Sequence, residues 1–158
     1  YTFPNDGKER MVILDLNKAM NWDATVDSKI NVVDSFTIEG YRYSDGWARN
    51  QRVWFRTRFS QPIKSLEIES KKLQNNPNGV GCIARFKFAT EGFDKLVVTT
   101  ALSPTSLEGA QKNLQAEAKT DDFDAVRRQA ETLWNNELGR IEIEGASKSQ
   151  ETVFYTSL

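Results

Sequence analysis

Histidine is absent from the 158 residues, and cysteine occurs once, at Cys82. The first absence excludes a histidine-based triad, a histidine-ligated metal and an imidazole acid or base. The second excludes an internal disulfide and a cysteine-ligated zinc. Cys82 lies in an alternating apolar segment and reads as a buried small residue. Net charge is nearly absent too: 21 Lys and Arg against 22 Asp and Glu leave −1. That balance supplies no long-range field for nucleic acid or an anionic membrane. No apolar run approaches the roughly 20 residues needed to span a bilayer. Any chemistry here must rest on carboxylates, hydroxyls, lysines or a hard metal.

What is present describes a folded chain. Hydrophobic residues make up 39%, aromatics 11% and charged residues 27%, which is not a disordered composition. The length suits one domain, or one domain and a short extension. A chain of this size buries roughly 68–70% of its unfolded surface, enough for one core. It opens Tyr1-Thr2-Phe3-Pro4, with no initiator Met or signal peptide, and closes Phe154-Tyr155-Thr156-Ser157-Leu158. Natural termini are usually polar and frayed, so both ends read as cut and the chain as a fragment.

The first two thirds have the period of strands. Residues 11–16, 28–33 and 36–43 are apolar or β-branched runs, with Asp34-Ser35 as a turn between the last two. After the turn signal Ser44-Asp45-Gly46, residues 51–60 alternate. Val53, Phe55, Thr57 and Phe59 share one face, and Arg52, Trp54, Arg56 and Arg58 the other. Residues 65–70 form a weaker strand. Asn75-Asn76-Pro77-Asn78-Gly79 is a turn signal, and residues 80–88 alternate again with Cys82, Ala84, Phe86 and Phe88 on one side. Residues 96–102 follow the Glu91-Gly92 turn.

Beyond residue 102 the period becomes helical. Ser103-Pro104-Thr105 opens a helix, with Thr105 and Glu108 as a capping box. A second helix is capped by Asp121-Asp122, carries Phe123, Val126, Ala130, Leu133 and Trp134 on one stripe, and stops at Gly139. Ile141-Glu142-Ile143-Glu144 alternates like a half-buried strand, and residues 145–150 read as a polar loop. The fold class is therefore mainly β, an antiparallel β-sandwich over residues 1–102, followed by linker helices over 103–158.

Chemical signals are sparse. Trp47, Arg49, Arg52, Trp54 and Arg56 follow the Gly46 turn, and indole with guanidinium suits a sugar, by stacking and by donation to hydroxyls. The same residues also make an ordinary solvated strand face, with Trp54 under arginine stems. Single-stranded nucleic acid uses a similar mixture, but the net charge argues against it. Asp15 and Asp23, Asp27 and Asp34, and Asp121, Asp122 and Asp124 are plentiful carboxylates. An inverting glycosidase needs two carboxyls about 6.5–9.5 Å apart, which spacing in sequence cannot show. Asp121 and Asp122 are explained by capping. Asp23 and Asp27, read as lying in a loop, could ligate calcium, though no EF-hand pattern exists. Nucleophile and phosphate-loop motifs are absent. No catalytic residue and no metal ligand is assigned, and Trp47 and Arg49 are the candidate substrate-binding residues.

Motifs spread along the whole chain resemble glycoside hydrolase family 92, the bacterial exo-acting α-mannosidases. They are Tyr1-Thr2-Phe3-Pro4, then Gly40-Tyr41-Arg42-Tyr43-Ser44-Asp45-Gly46-Trp47-Ala48 with Gln51 and Phe55. Ser106, Ala110, Asn113-Leu114 and Glu117 continue the pattern. Asp122-Phe123-Asp124, Trp134-Asn135, residues 138–145 and Phe154-Tyr155-Thr156-Ser157-Leu158 complete it. The resemblance implies a two-domain parent. An N-terminal sandwich, similar to the galactose-mutarotase-like supersandwich, packs through linker helices on a C-terminal (α/α)6 barrel. It further implies calcium in the parent, inversion at terminal α-linked mannose, carboxylate acid and base beyond Leu158, and further sandwich strands before Tyr1. The expected partners are that barrel and a mannose-containing glycan, with no nucleic acid and no membrane span. No cofactor is expected within the fragment, which alone should be inactive. The parent is expected to be exported, periplasmic or extracellular. Two other readings stay open, an independent carbohydrate-binding module using Trp47 and Trp54, and a structural sandwich from a surface protein.

Overall fold

Residues 1–18, 22–74 and 76–158 are described by a computed structural model. Two units are separable, residues 1–121 and 122–158. Seven strands lie in the first: β1 (Arg10–Asp15), β2 (Ala24–Val32), β3 (Thr37–Asp45), β4 (Gln51–Phe59), β5 (Ser65–Lys72), β6 (Val80–Phe88) and β7 (Val98–Ser103). All pair antiparallel, in a three-stranded sheet of order β1-β6-β5 and a four-stranded sheet of order β2-β3-β4-β7. The expected mainly β sandwich with helices after it is what forms.

The alternating segments decide the core. From the four-stranded sheet Ile30, Ile38, Phe55 and Phe59 are buried, and from β6 Cys82, Ala84, Phe86 and Phe88, with Leu16 and Leu96 beside them. The Phe59 ring lies 5.2 Å from Phe86 and 5.4 Å from Phe88, so aromatic packing joins the sheets. A polar tie crosses the same layer: Ser28 Oγ on β2 donates to the Val80 carbonyl (3.0 Å) and accepts from the Cys82 N–H (2.9 Å). Cys82 is buried, as its pattern requires.

Helix α1 (Leu107–Glu117) belongs to the first unit, with Ala110 and Leu114 buried. Its cap is Ser106, which accepts from the Gly109 N–H, and not the expected Thr105. Thr105 is instead held by Ser103, through its hydroxyl (3.0 Å) and its N–H (3.2 Å), while Glu108 pairs with Lys112. Leu96 is buried just before β7, which starts two residues later than expected. The turn signal at 75–79 closes with the Gly79 N–H on the Asn76 carbonyl (3.0 Å), while Asn75 lies outside the described residues.

The second unit holds α2 (Phe123–Leu138), capped by Asp122, and α3 (Lys148–Ser157). Two expectations fail here. Residues 141–144 form no strand, because alternation makes a strand only beside a partner, and none of the described strands pairs with them. The polar loop over 145–150 yields to a helix from Lys148: Ser147 and Gln150 form a reciprocal capping box, a start signal hidden in a polar run.

Candidate functional site

The β3–β4 connection is shaped by its own side chains. Asp45 Oδ1 accepts from the Asn50 N–H at 2.5 Å, and Asn50 takes a left-handed backbone (φ 56°), which asparagine tolerates better than most residues. The Gly46 N–H donates to the Ala48 carbonyl (3.2 Å), and Ser44 Oγ donates to Gln51 Oε1 (3.4 Å).

The register of β2 against β3 brings a distant residue to this connection. Ala24 lies opposite Asp45, so continuing the pairing outward places Asp23 beside Gly46 and Trp22 beside Trp47. A Cβ on Gly46 would stand 2.8 Å from Asp23 Cα, so only glycine permits the approach. The two indoles meet edge to face, with centroids 5.5 Å apart and planes at 74°. Both remain open to solvent, Trp22 71% and Trp47 87% exposed. With Asp23 and Gln51 they line a cleft of about 310 Å³. Arg49 is exposed in the adjoining turn and is not among these lining residues.

Asp23 is fixed from behind. Arg42 Nη1 meets Asp23 Oδ2 at 2.6 Å, and Arg42 Nε donates to the Leu16 carbonyl (3.1 Å) and to Thr25 Oγ1 (3.2 Å). The hydrogen bond from Arg42 outweighs burial and holds the Asp23 carboxyl below its ordinary value of 3.8, so it is ionised at neutral pH. A depressed carboxyl contributes stability above its unfolded value and loses it as pH falls through its folded one. An Arg42→Met chain is therefore expected to lose less of its thermal stability between pH 7 and pH ~3 than the parent does, ~3 lying below an unperturbed aspartate. Melting curves at the two pH values check this, and an equal loss would remove the ion pair from the account.

Trp54 sits elsewhere. It is half-buried, edge-on to Tyr43 at 5.5 Å, while Tyr43 stacks on Tyr41 at 4.4 Å. The cation over this row is Arg52, on Tyr43 (5.2 Å) and not on Trp54 as the sequence suggested. Burial, and then the hydrogen bond to Asp27, push the Tyr41 phenol up to about 12, so it stays a neutral donor.

The remaining carboxylates hold structure. Asp15 accepts from the Asn17 and Lys18 N–H groups, and Asp34 from the Phe36 N–H. Asp27 is on β2 and not in a loop, and accepts from Tyr41 Oη (2.9 Å) and the Val80 N–H (3.0 Å). Asp121 pairs with Arg58, Asp122 caps α2 and Asp124 pairs with Arg127. Among the described residues no three His, Cys, Asp or Glu gather as a metal site. The calcium implied by the resemblance would thus find no such cluster among the described residues. No described helix is long and apolar enough to cross a membrane.

Sequence reasoning found Trp47 but not Trp22. The signal was the pairing of a Trp-Asp step before β2 with a Gly-Trp step after β3, legible only once the register is known.

Comparison with known proteins gives the site its setting. Residues 1–103 match the glycosyl hydrolase family 92 N-terminal domain, and residues 109–158 match the glycosyl hydrolase family 92 catalytic domain. Among solved structures, the chain is similar to the family GH92 α-mannosidase BT3965 from Bacteroides thetaiotaomicron. The two share 28% identity and a TM-score of 0.80, over 94% of this chain and 21% of that one. It is also similar to the family GH92 inverting mannosidase BT2199 from the same organism, with 26% identity and a TM-score of 0.78 over 98% of this chain and 21% of that one. No curated protein matches. The chain thus spans about a fifth of the length of the solved mannosidases it resembles. On the match over residues 1–103, the chain belongs to glycosyl hydrolase family 92.

Proposed function

We propose that this chain is the N-terminal β-sandwich of an exo-α-mannosidase-like glycoside hydrolase, with residues 103–158 leading onward to an (α/α)6 barrel. The sandwich buttresses that barrel and closes one side of its substrate cleft. Trp47 and Arg49 contact a mannose-containing glycan. The whole enzyme is exported to the periplasm or beyond, and hydrolyses terminal α-mannosides with inversion, using calcium held outside these residues. One observation carries the reading: the N-terminal and catalytic family matches follow one another in one chain. The helices of the second unit support it. Phe123, Val126, Leu133 and Trp134 of α2 are exposed, and neither α2 nor α3 buries a residue. Such an apolar stripe is built to be covered.

The test is turnover. The 158-residue chain alone is expected to release no mannose from an α-linked mannobiose, and activity is expected when the chain is joined in one polypeptide to a complete family 92 catalytic domain. Turnover by the pure chain would overturn the division of labour. A second reading, an independent carbohydrate-binding module, draws on the exposure of Trp47 at the cleft. It predicts sugar binding with no dependence on any barrel.

A further inference from the structure

The geometry points to a binding site for a neutral pyranose in the cleft formed by Trp22, Trp47, Asp23 and Gln51, a site to which Trp22 is as necessary as Trp47. It deepens the glycan contact proposed above, and rests on that contact and not on the enzyme reading.

Four observations carry it. The two indoles meet edge to face, an arrangement that satisfies one ring face and leaves others free; Trp47, at 87% exposure, offers solvent an apolar platform. A pyranose presents a patch of axial C–H groups to such a platform and hydroxyls at its rim. The rim here is polar, with Asp23 as acceptor and the Gln51 amide as donor and acceptor. The cleft, about 310 Å³, lies at the lower end of the ~300–1,000 Å³ of small-molecule sites.

The groups are also held before any ligand arrives. Arg42 pins Asp23, Ser44 holds the Gln51 carbonyl, and Gly46 seats the Trp47 turn directly on the Asp23 backbone. Preorganisation of this kind lowers the ordering cost of binding. The Asp23 carboxylate at the wall accepts from sugar hydroxyls, and because it is acceptor-only it offers no donor to the carboxylate of a uronate or to a sulfate.

The experiment follows the indole N–H resonances of the folded 158-residue chain by NMR during titration. The probes are methyl α-D-mannopyranoside, methyl β-D-glucopyranoside, D-glucuronate and adenosine. Saturable millimolar shifts of the Trp22 and Trp47 signals with at least one neutral glycoside, and none with glucuronate, are expected. Trp22→Ala and Trp47→Ala should each weaken binding about tenfold or more, about 1.4 kcal/mol by the affinity scale. Both side chains are largely exposed, so the melting temperature should hold; Gln51→Ala serves as a milder third variant. Absence of shifts in a chain with a cooperative melt overturns the site. So does equal binding of glucuronate or adenosine, or binding indifferent to Trp22. None of these results bears on turnover by the joined enzyme, so the two readings fail separately.

Discussion

A Phe86→Ala chain is expected to lose about 3–5 kcal/mol of stability in the sandwich, the range for emptying an aromatic core position. Phe86 is 0% exposed, on the middle strand of the three-stranded sheet, and its ring lies 5.2 Å from Phe59 across the layer. Removing it strips contacts from both sheets at the place where they join. Domains of this kind hold about 5–15 kcal/mol in all, so much of the margin goes. A fall of about 10–20 °C in melting temperature is expected by circular dichroism, with Phe86→Leu far milder because it keeps most of the volume. A fall of only a few degrees would mean that the site collapses around the gap, and that the sheets are joined elsewhere.

The second large effect is polar. Ser28→Ala deletes one hydroxyl and leaves two partners without it, the Val80 carbonyl and the Cys82 N–H. Each buried group left unpaired costs about 1–3 kcal/mol, far more than a surface serine is worth. The loss should appear in denaturant titrations as a lower midpoint with an unchanged slope. It should also appear as faster hydrogen exchange at the Cys82 amide than at the Ala84 amide. An unchanged midpoint would show that water or a neighbour replaces the hydroxyl.

Much of this architecture can be read from the chain before it folds, and the reason is particular. Val53, Phe55, Thr57 and Phe59, like Cys82, Ala84, Phe86 and Phe88, occupy strands with one apolar side, so period and burial report the same fact. Residues 141–144 carry the same period without a neighbouring strand, and the period means nothing there. Helix α3 fails for the opposite reason: its capping box is local and legible, but its stripe is short and its polar opening resembles a loop. The cleft divides in the same way. Trp47 follows an evident turn, and the sequence marks it. Trp22 reaches it only through the β2–β3 register, and Asp23 becomes a fixed acceptor only through Arg42. No local pattern encodes either.

The pairing of β1 with β6 has a consequence for how the molecule is made. Leu14 lies opposite Ala84, 70 residues further along the chain. On a ribosome adding about 5–20 residues per second, β1 waits some 4–14 s for its partner to be synthesised. The β2–β3–β4 meander, whose contacts are local, can meanwhile close on itself. Among the described strands, β1, with its apolar run Val12-Ile13-Leu14, is thus the one that waits longest for its hydrogen-bonding partner.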